Sequence, residues 1–191
     1  MSSLVANLDS LRGVWHDELT AVDENGAPIA YDPHGGVPGE FPYEVLVYID
    51  FDGRHFVQTT VVLSGRANAI RTFEADIVGD VLEFVPLGPG APRIVGVSQG
   101  PGALWFVADT VAAESIQRYA EPDFIRVDGD RRWRHTVLWR NGDLRRFLMV
   151  RGRRVSSDPT VRHDLDPRGM AGPVHETRSE VEIYDAKGGR R

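Results

Sequence analysis

The chain has 191 residues, 41% hydrophobic and 26% charged, with 28 acids against 22 bases and no cysteine. Such a composition fits one soluble globular domain, 1–191, large enough to bury a core without staples. Without cysteine, disulfides, thiolate metal sites and cysteine nucleophiles are excluded, and a chain with no long apolar run and no signal-peptide layout at residues 1–12 is expected to be cytoplasmic, with no membrane partner.

Residues 3–12, SLVANLDSLR, place Leu4, Leu8 and Leu11 at helical spacings, and they form the one expected helix. Gly13 then leads into a strand over 14–22 that contains Trp15. Residues 24–42, ENGAPIAYDPHGGVPGEFP, are dense in glycine, proline and aspartate and read as a long loop and candidate lid. EVLVYIDFDGRHFVQTTVVL (44–63) is two β-rich runs around Asp52-Gly53, a pair suited to a tight hairpin. AIRTFEADIVGDVLEFVPL (69–87) repeats the pattern around Gly79-Asp80, with Phe73, Ala75, Ile77, Leu82 and Phe84 on one face. Arg71 shares that face by parity and reads as a second internal arginine or a rim residue. RIVGVS (93–98) and ALWFVADT (103–110) flank the turn QGPG, and a weaker strand is expected at 114–119. The last hairpin, 132–151, centres on Asn141-Gly142, and residues 156–176 form a long Gly/Pro-rich loop leading into a C-terminal tail.

These elements make about nine or ten antiparallel strands joined to their neighbours by short turns. A meander of that length has to resolve its edges, and closure into an all-β, up-and-down barrel with the short helix plugging one end is the expected fold. Within the 132–151 hairpin, a two-residue turn puts Trp133, His135, Val137 and Trp139 on one face with Leu144, Arg146, Leu148 and Val150. Arg132, Arg134, Arg140, Arg145 and Arg151 fall on the other, which reads as solvent. Two polar residues on the inward face need partners. Arg146 could hold a carboxylate or enolate oxygen and His135 could exchange a proton, or both could be satisfied internally. Trp105, Tyr48 and Phe106 are candidate aromatic pocket walls beside Trp133 and Trp139.

A short helix, then Gly13-Val14-Trp15 entering the first strand of a meandering barrel, resembles the calycin superfamily, which includes lipocalins and fatty-acid-binding proteins. LRGVWHDELTAVDENG at the start and RRWRHTVLWRNGDLRRFLMVRGRRVS at the end look like its branch of phycobiliprotein lyases and their uncharacterised relatives. The resemblance implies structural roles for Gly13, which turns the chain into the barrel, and Trp15, which closes the base under a late arginine, Arg151 or Arg153. It also implies a cavity for a largely apolar small molecule.

Other motifs lead nowhere. PHGG (33–36) lacks the Gly-x-Ser-x-Gly elbow of an ester hydrolase. WHDEL and RHDLD form no recognised metal constellation, so no metal or cofactor is expected. The charge is uneven, 18 acids and 6 bases in 1–125 against 10 and 16 in 126–191. Halves of about −12 and +6 neutralise each other around one fold, and the overall acidity argues against a nucleic-acid partner. Three functions remain: a barrel binding a hydrophobic pigment, natural-product intermediate or apolar carboxylate; an enzyme using the same chamber for lyase, isomerase or cyclase chemistry; or a ligand-free interaction domain. A homodimer through an exposed strand is compatible with each.

Overall fold

The computed structural model describes residues 3–29, 43–63, 67–86, 93–108, 122–140, 143–175 and 182–185. Helix α1 (Ser3–Leu11) leads into β1 (Gly13–Val22) and the two-residue β2 (Pro28–Ile29). There follow β3 (Tyr43–Phe51), β4 (His55–Val62), β5 (Ala67–Val78), β6 (Val81–Phe84), β7 (Ile94–Ser98) and β8 (Ala103–Ala108). The chain continues through β9 (Asp123–Asp128), β10 (Arg131–Arg140), β11 (Asp143–Ser156) and β12 (Glu182–Asp185). β1 and β3 to β11 pair in chain order, and β11 returns to β1, which closes a ten-stranded antiparallel barrel. β2 pairs with the end of β1, and β12 with the start of β5. Closure leaves the barrel strands without a free edge.

The hairpins expected at Asp52-Gly53 and Gly79-Asp80 and across QGPG are present. The eighth barrel strand is β9, within DFIRVD, where no strand was expected; the weak strand at 114–119 lies outside the described residues. Phe124 and Arg126 face out and Ile125 and Val127 in, an alternation short enough to be overlooked beside the polar turn Gly129-Asp130.

One end of the barrel is sealed. Leu4, Leu8 and Leu11 of α1 are buried among Ile49, Phe51, Leu104 and Val127, each worth about 1.5–3 kcal/mol relative to exposure. Asn7 fixes the helix in place. Its amide donates to Ser98 Oγ and to the carbonyls of Gly100 and Ala103 at 2.7–2.9 Å, while its Oδ1 accepts from the Gly102 amide at 2.8 Å.

Trp15 closes the same base, fully buried, with its indole N–H donating to the Leu11 carbonyl at 2.7 Å. Gly13 enters β1 at φ 127°, and a Cβ there would lie 2.4 Å from the Ser156 carbonyl oxygen, so glycine is required. The guanidiniums over the Trp15 ring belong to Arg154, at 4.7 Å, and Arg132, at 4.9 Å. Arg151 and Arg153 are exposed on the outer wall instead. Register explains this correction: Trp15 lies opposite Arg154, and period two sends the neighbours of Arg154 outward.

A second apolar layer lies outside the barrel. Val14, Leu46, Tyr48, Val61 and Ile70 are covered by the segment after β11, which contributes Val174. The 156–175 part of the expected loop is therefore a strap laid on the outer wall. Tyr48, taken as a pocket wall, is under this strap: its hydroxyl donates to Asp166 Oδ2 at 2.8 Å and accepts from the His163 amide at 3.1 Å. Burial pushes the Tyr48 phenol up to about 12. Asp166 is buried too, which alone would raise its pKa, but hydrogen bonds from the Arg168 side chain and amide hold it below the ordinary value. Arg162 reaches the carbonyls of Gly169, Ala171 and Pro173 and ties the strap to itself.

Candidate functional site

The interior is graded from end to end. At the helix end Trp15, Ile49, Phe56, Leu82 and Leu104 are buried; towards the mouth, ringed by Val22, Tyr43, Val62, Phe84, Ile94 and Asp123, buried inward residues such as Tyr43, Ala21, Val62 and Thr136 alternate with half-buried ones. Thr60, Arg71, Phe73, Phe84, Asp123, Arg134 and Arg146 belong to that half-buried group.

Register decides which side chains face that interior. β10 and β11 pair as expected at Trp139↔Leu144, but the register shifts immediately after it, so that Leu138 lies opposite Arg146 rather than Arg145. One extra residue on β11 restores the expected inward face of that strand, Arg146, Leu148 and Val150, and inverts the face of β10. Arg132, Arg134 and Thr136 therefore point in. His135 is exposed and Trp133 half-buried on the outer wall, so their expected inward position is corrected. The side chain of Trp139 and the Asn141-Gly142 turn lie outside the described residues.

Two other expected wall residues divide in the same manner. Phe106 is inside, buried, with its ring edge-on to Phe84 at 5.3 Å. Trp105, one residue earlier, faces out and is 44% exposed. Arg71 follows its expected parity: Thr60 lies opposite it on β4, and its guanidinium stands 5.8 Å from the Phe73 ring centroid.

Two arginine–carboxylate forks were missed by treating arginine as a surface residue. Deep in the barrel, Arg132 donates Nε and NH2 to the two oxygens of Asp17 at 2.9 and 2.5 Å, with both side chains at most 5% exposed. The fork crosses β11 above Gly152. A Cβ at Gly152 would sit 2.2 Å from Asp17 Oδ1 and 2.6 Å from Arg132 Cγ, so the glycine makes room for the pair. Nearer the mouth, Arg134 donates in the same two-pronged way to Asp123, at 2.7 and 2.6 Å. The only sequence signal was an arginine on alternate positions of a strand whose other face also carried arginine.

The mouth half of the interior thus combines the apolar surfaces of Leu19, Ala21, Val45, Val62, Phe73 and Leu148 with Thr60, Arg71, Asp123, Arg134, Thr136 and Arg146. Thr136 is buried, and its hydroxyl has no hydrogen-bond partner among the described residues. An unpaired buried hydroxyl costs roughly 1–3 kcal/mol, which a ligand oxygen could recover. Among the described residues no cluster of His, Asp and Glu could hold a metal ion.

The fold and this interior define a closed all-β barrel with a sealed base and an inward face studded with polar residues in its other half. No known family model matches the chain, and no curated protein matches it. Among solved structures it is similar to the crystal structure of a protein of unknown function from the DUF3598 family of Nostoc punctiforme, with a TM-score of 0.57 and 16% identity. The similarity covers 78% of this chain and 49% of that one, so this chain spans about half the length of that protein. At this identity the likeness shows the fold alone.

Proposed function

We propose that this protein is a calycin-like barrel that binds an amphipathic small molecule through its mouth. The apolar body would lie against Leu19, Val45, Val62, Phe73 and Leu148, and the polar end against Arg71, Thr136 and Arg146. The observation that carries this reading is the buried Thr136 hydroxyl, left without a hydrogen-bond partner among the described residues on an inward wall whose neighbours Asp123, Arg134 and Arg146 are only partly buried. Support for the calycin-like assignment comes from closure, the helix at the base, and Trp15 held between two arginines. A pigment, a natural-product intermediate or an apolar carboxylate has the required chemistry. Native mass spectrometry of the purified protein, followed by tryptophan-fluorescence titration with such compounds, tests the proposal. Saturable binding that weakens in Thr136→Val and Arg71→Leu but not in His135→Leu is expected. Absence of saturable binding across a broad panel would leave the interaction-domain reading in its place.

A second reading, lyase, isomerase or cyclase chemistry in the same chamber, is favoured by the Asp123–Arg134 fork. It sets a carboxylate that can accept a proton beside a guanidinium that can polarise an oxygen. Conversion of a bound compound by the natural protein, abolished in Asp123→Asn while binding persists, would separate catalysis from carriage.

A further inference from the structure

The outer wall of β8 to β11 is chemically unlike the rest of the surface. Cross-strand pairing aligns Trp105, Phe124, His135 and Met149 in a single row over four strands, with Val137 and Phe147 in the next row towards the mouth. Trp105, Phe124, Phe147 and Met149 are 37–44% exposed and account for half of the large exposed apolar side chains among the described residues. On the base side of this row lies Arg126, Trp133, Arg151, and beyond it Arg131 and Arg153. Arg12, Arg93, Arg132, Arg134, Arg154 and Arg168 each form an ion pair, whereas Arg126, Arg131, Arg151 and Arg153 form none among the described residues. Exposed aromatics and methionine beside uncommitted guanidiniums are the composition of protein interfaces rather than of free surface.

We infer that this wall is the contact between two copies of the chain, related by a two-fold axis. The face is polar along its strands, arginine at one end and aromatic at the other, and this makes it complementary to its own reverse. An axis lying in the plane of the wall, perpendicular to the strands and passing between Trp133 and His135, brings the arginine row of each copy onto the aromatic row of the other. Arg126 then meets Phe124 of the second copy, Arg151 meets Met149, and Trp133 meets His135. Like-charged rows are kept apart, Arg126 gains the Phe124 ring face in a partly desolvated setting, where cation–π contact is strongest, and the Arg151 stem packs on the Met149 thioether. The four rows span up to four strands and about six residues, at most roughly 20 Å by 20 Å at ordinary strand spacings. That footprint is about half the ~800 Å² per partner of a standard interface, so the dimer is reversible and forms at micromolar concentration or above.

Sedimentation velocity of the full chain from micromolar to submillimolar concentration tests this. A monomer–dimer equilibrium is expected, shifted at least tenfold towards monomer by Phe124→Lys and by Met149→Lys, each of which sets a cation against the guanidinium it meets. Arg151→Glu should weaken it as well. The replaced side chains are solvent-exposed, and unchanged far-UV circular dichroism with an unchanged urea midpoint will show that the barrel persists. A chain that stays monomeric throughout, or an oligomer that none of the three changes weakens, overturns the inference.

Discussion

Single atoms decide two positions in the interior. At Gly152 an added methyl group would occupy the space of the Asp17–Arg132 fork, and neither partner can withdraw into water from the middle of the barrel. Gly152→Ala should therefore destabilise the fold by about 3 kcal/mol, combining overpacking with a strained buried ion pair. Equilibrium urea denaturation measures this, and a loss below about 1 kcal/mol would mean that the fork shifts without strain. Thr136 is the opposite case. Thr136→Val keeps the shape and removes an unpaired hydroxyl, so the ligand-free protein should hold its stability or gain up to about 1–2 kcal/mol. Its affinity for an amphipathic ligand should fall about fivefold, the worth of one ordinary hydrogen bond. A stabilised variant with unchanged affinity would remove Thr136 from the site.

At the scale of elements, the strap carries a pH response whose direction follows from its buried groups. His175, whose Nδ1 bonds Thr59 Oγ1 at 3.0 Å, has its pKa lowered from 6.5 by burial. The unfolded chain then binds a proton that the folded strap resists, so the stability of the strap is full above pH 6.5 and declines as pH falls below it. Asp166 adds a further loss below its unfolded value of 3.8, because its folded pKa is depressed. Tyr48 acts at the alkaline limit, where stability declines between pH 10 and about 12. Hydrogen exchange across 157–175 should accelerate between pH 7 and 5, after correction for intrinsic rates, and His175→Gln should flatten that change. Exchange that rises equally in the variant would assign the response elsewhere.

The same scale shows what was legible in the residues alone. Turn chemistry at Asp52-Gly53 and Gly79-Asp80 set the hairpins and the inward face Phe73, Ala75, Ile77, because no irregularity intervenes. At the final hairpin the correct pairing of Trp139 with Leu144 still led to the wrong face of β10, since one bulged residue flips every side chain beyond it. The strap was unreadable for another reason. Its anchors are Asp166, Arg168, His175 and a single valine, Val174, so no apolar period reports it.

For the whole molecule, the two apolar layers separate the barrel interior, the proposed ligand chamber, from the strap. The chamber is bounded by the inward residues of the ten barrel strands, and closure through β1 and β11 is complete by Ser156. Among the described residues, the apolar contacts of the strap lie on the outer wall of β1, β3, β4 and β5, beside Val155 at the end of β11. A chain ending at Asp158 should therefore keep a barrel with unchanged ligand affinity but lose the cover over Leu46, Tyr48, Val61 and Ile70. Partial exposure of those side chains removes roughly 3–6 kcal/mol, a large share of the stability of an ordinary domain. Where that loss prevents folding, Val174→Asp supplies a milder form of the same change. In either variant the urea midpoint should fall while the ligand dissociation constant of the folded protein holds. A folded variant that no longer binds would show that the outer layer sets the shape of the mouth, and the binding residues would then have to be sought on both sides of the wall.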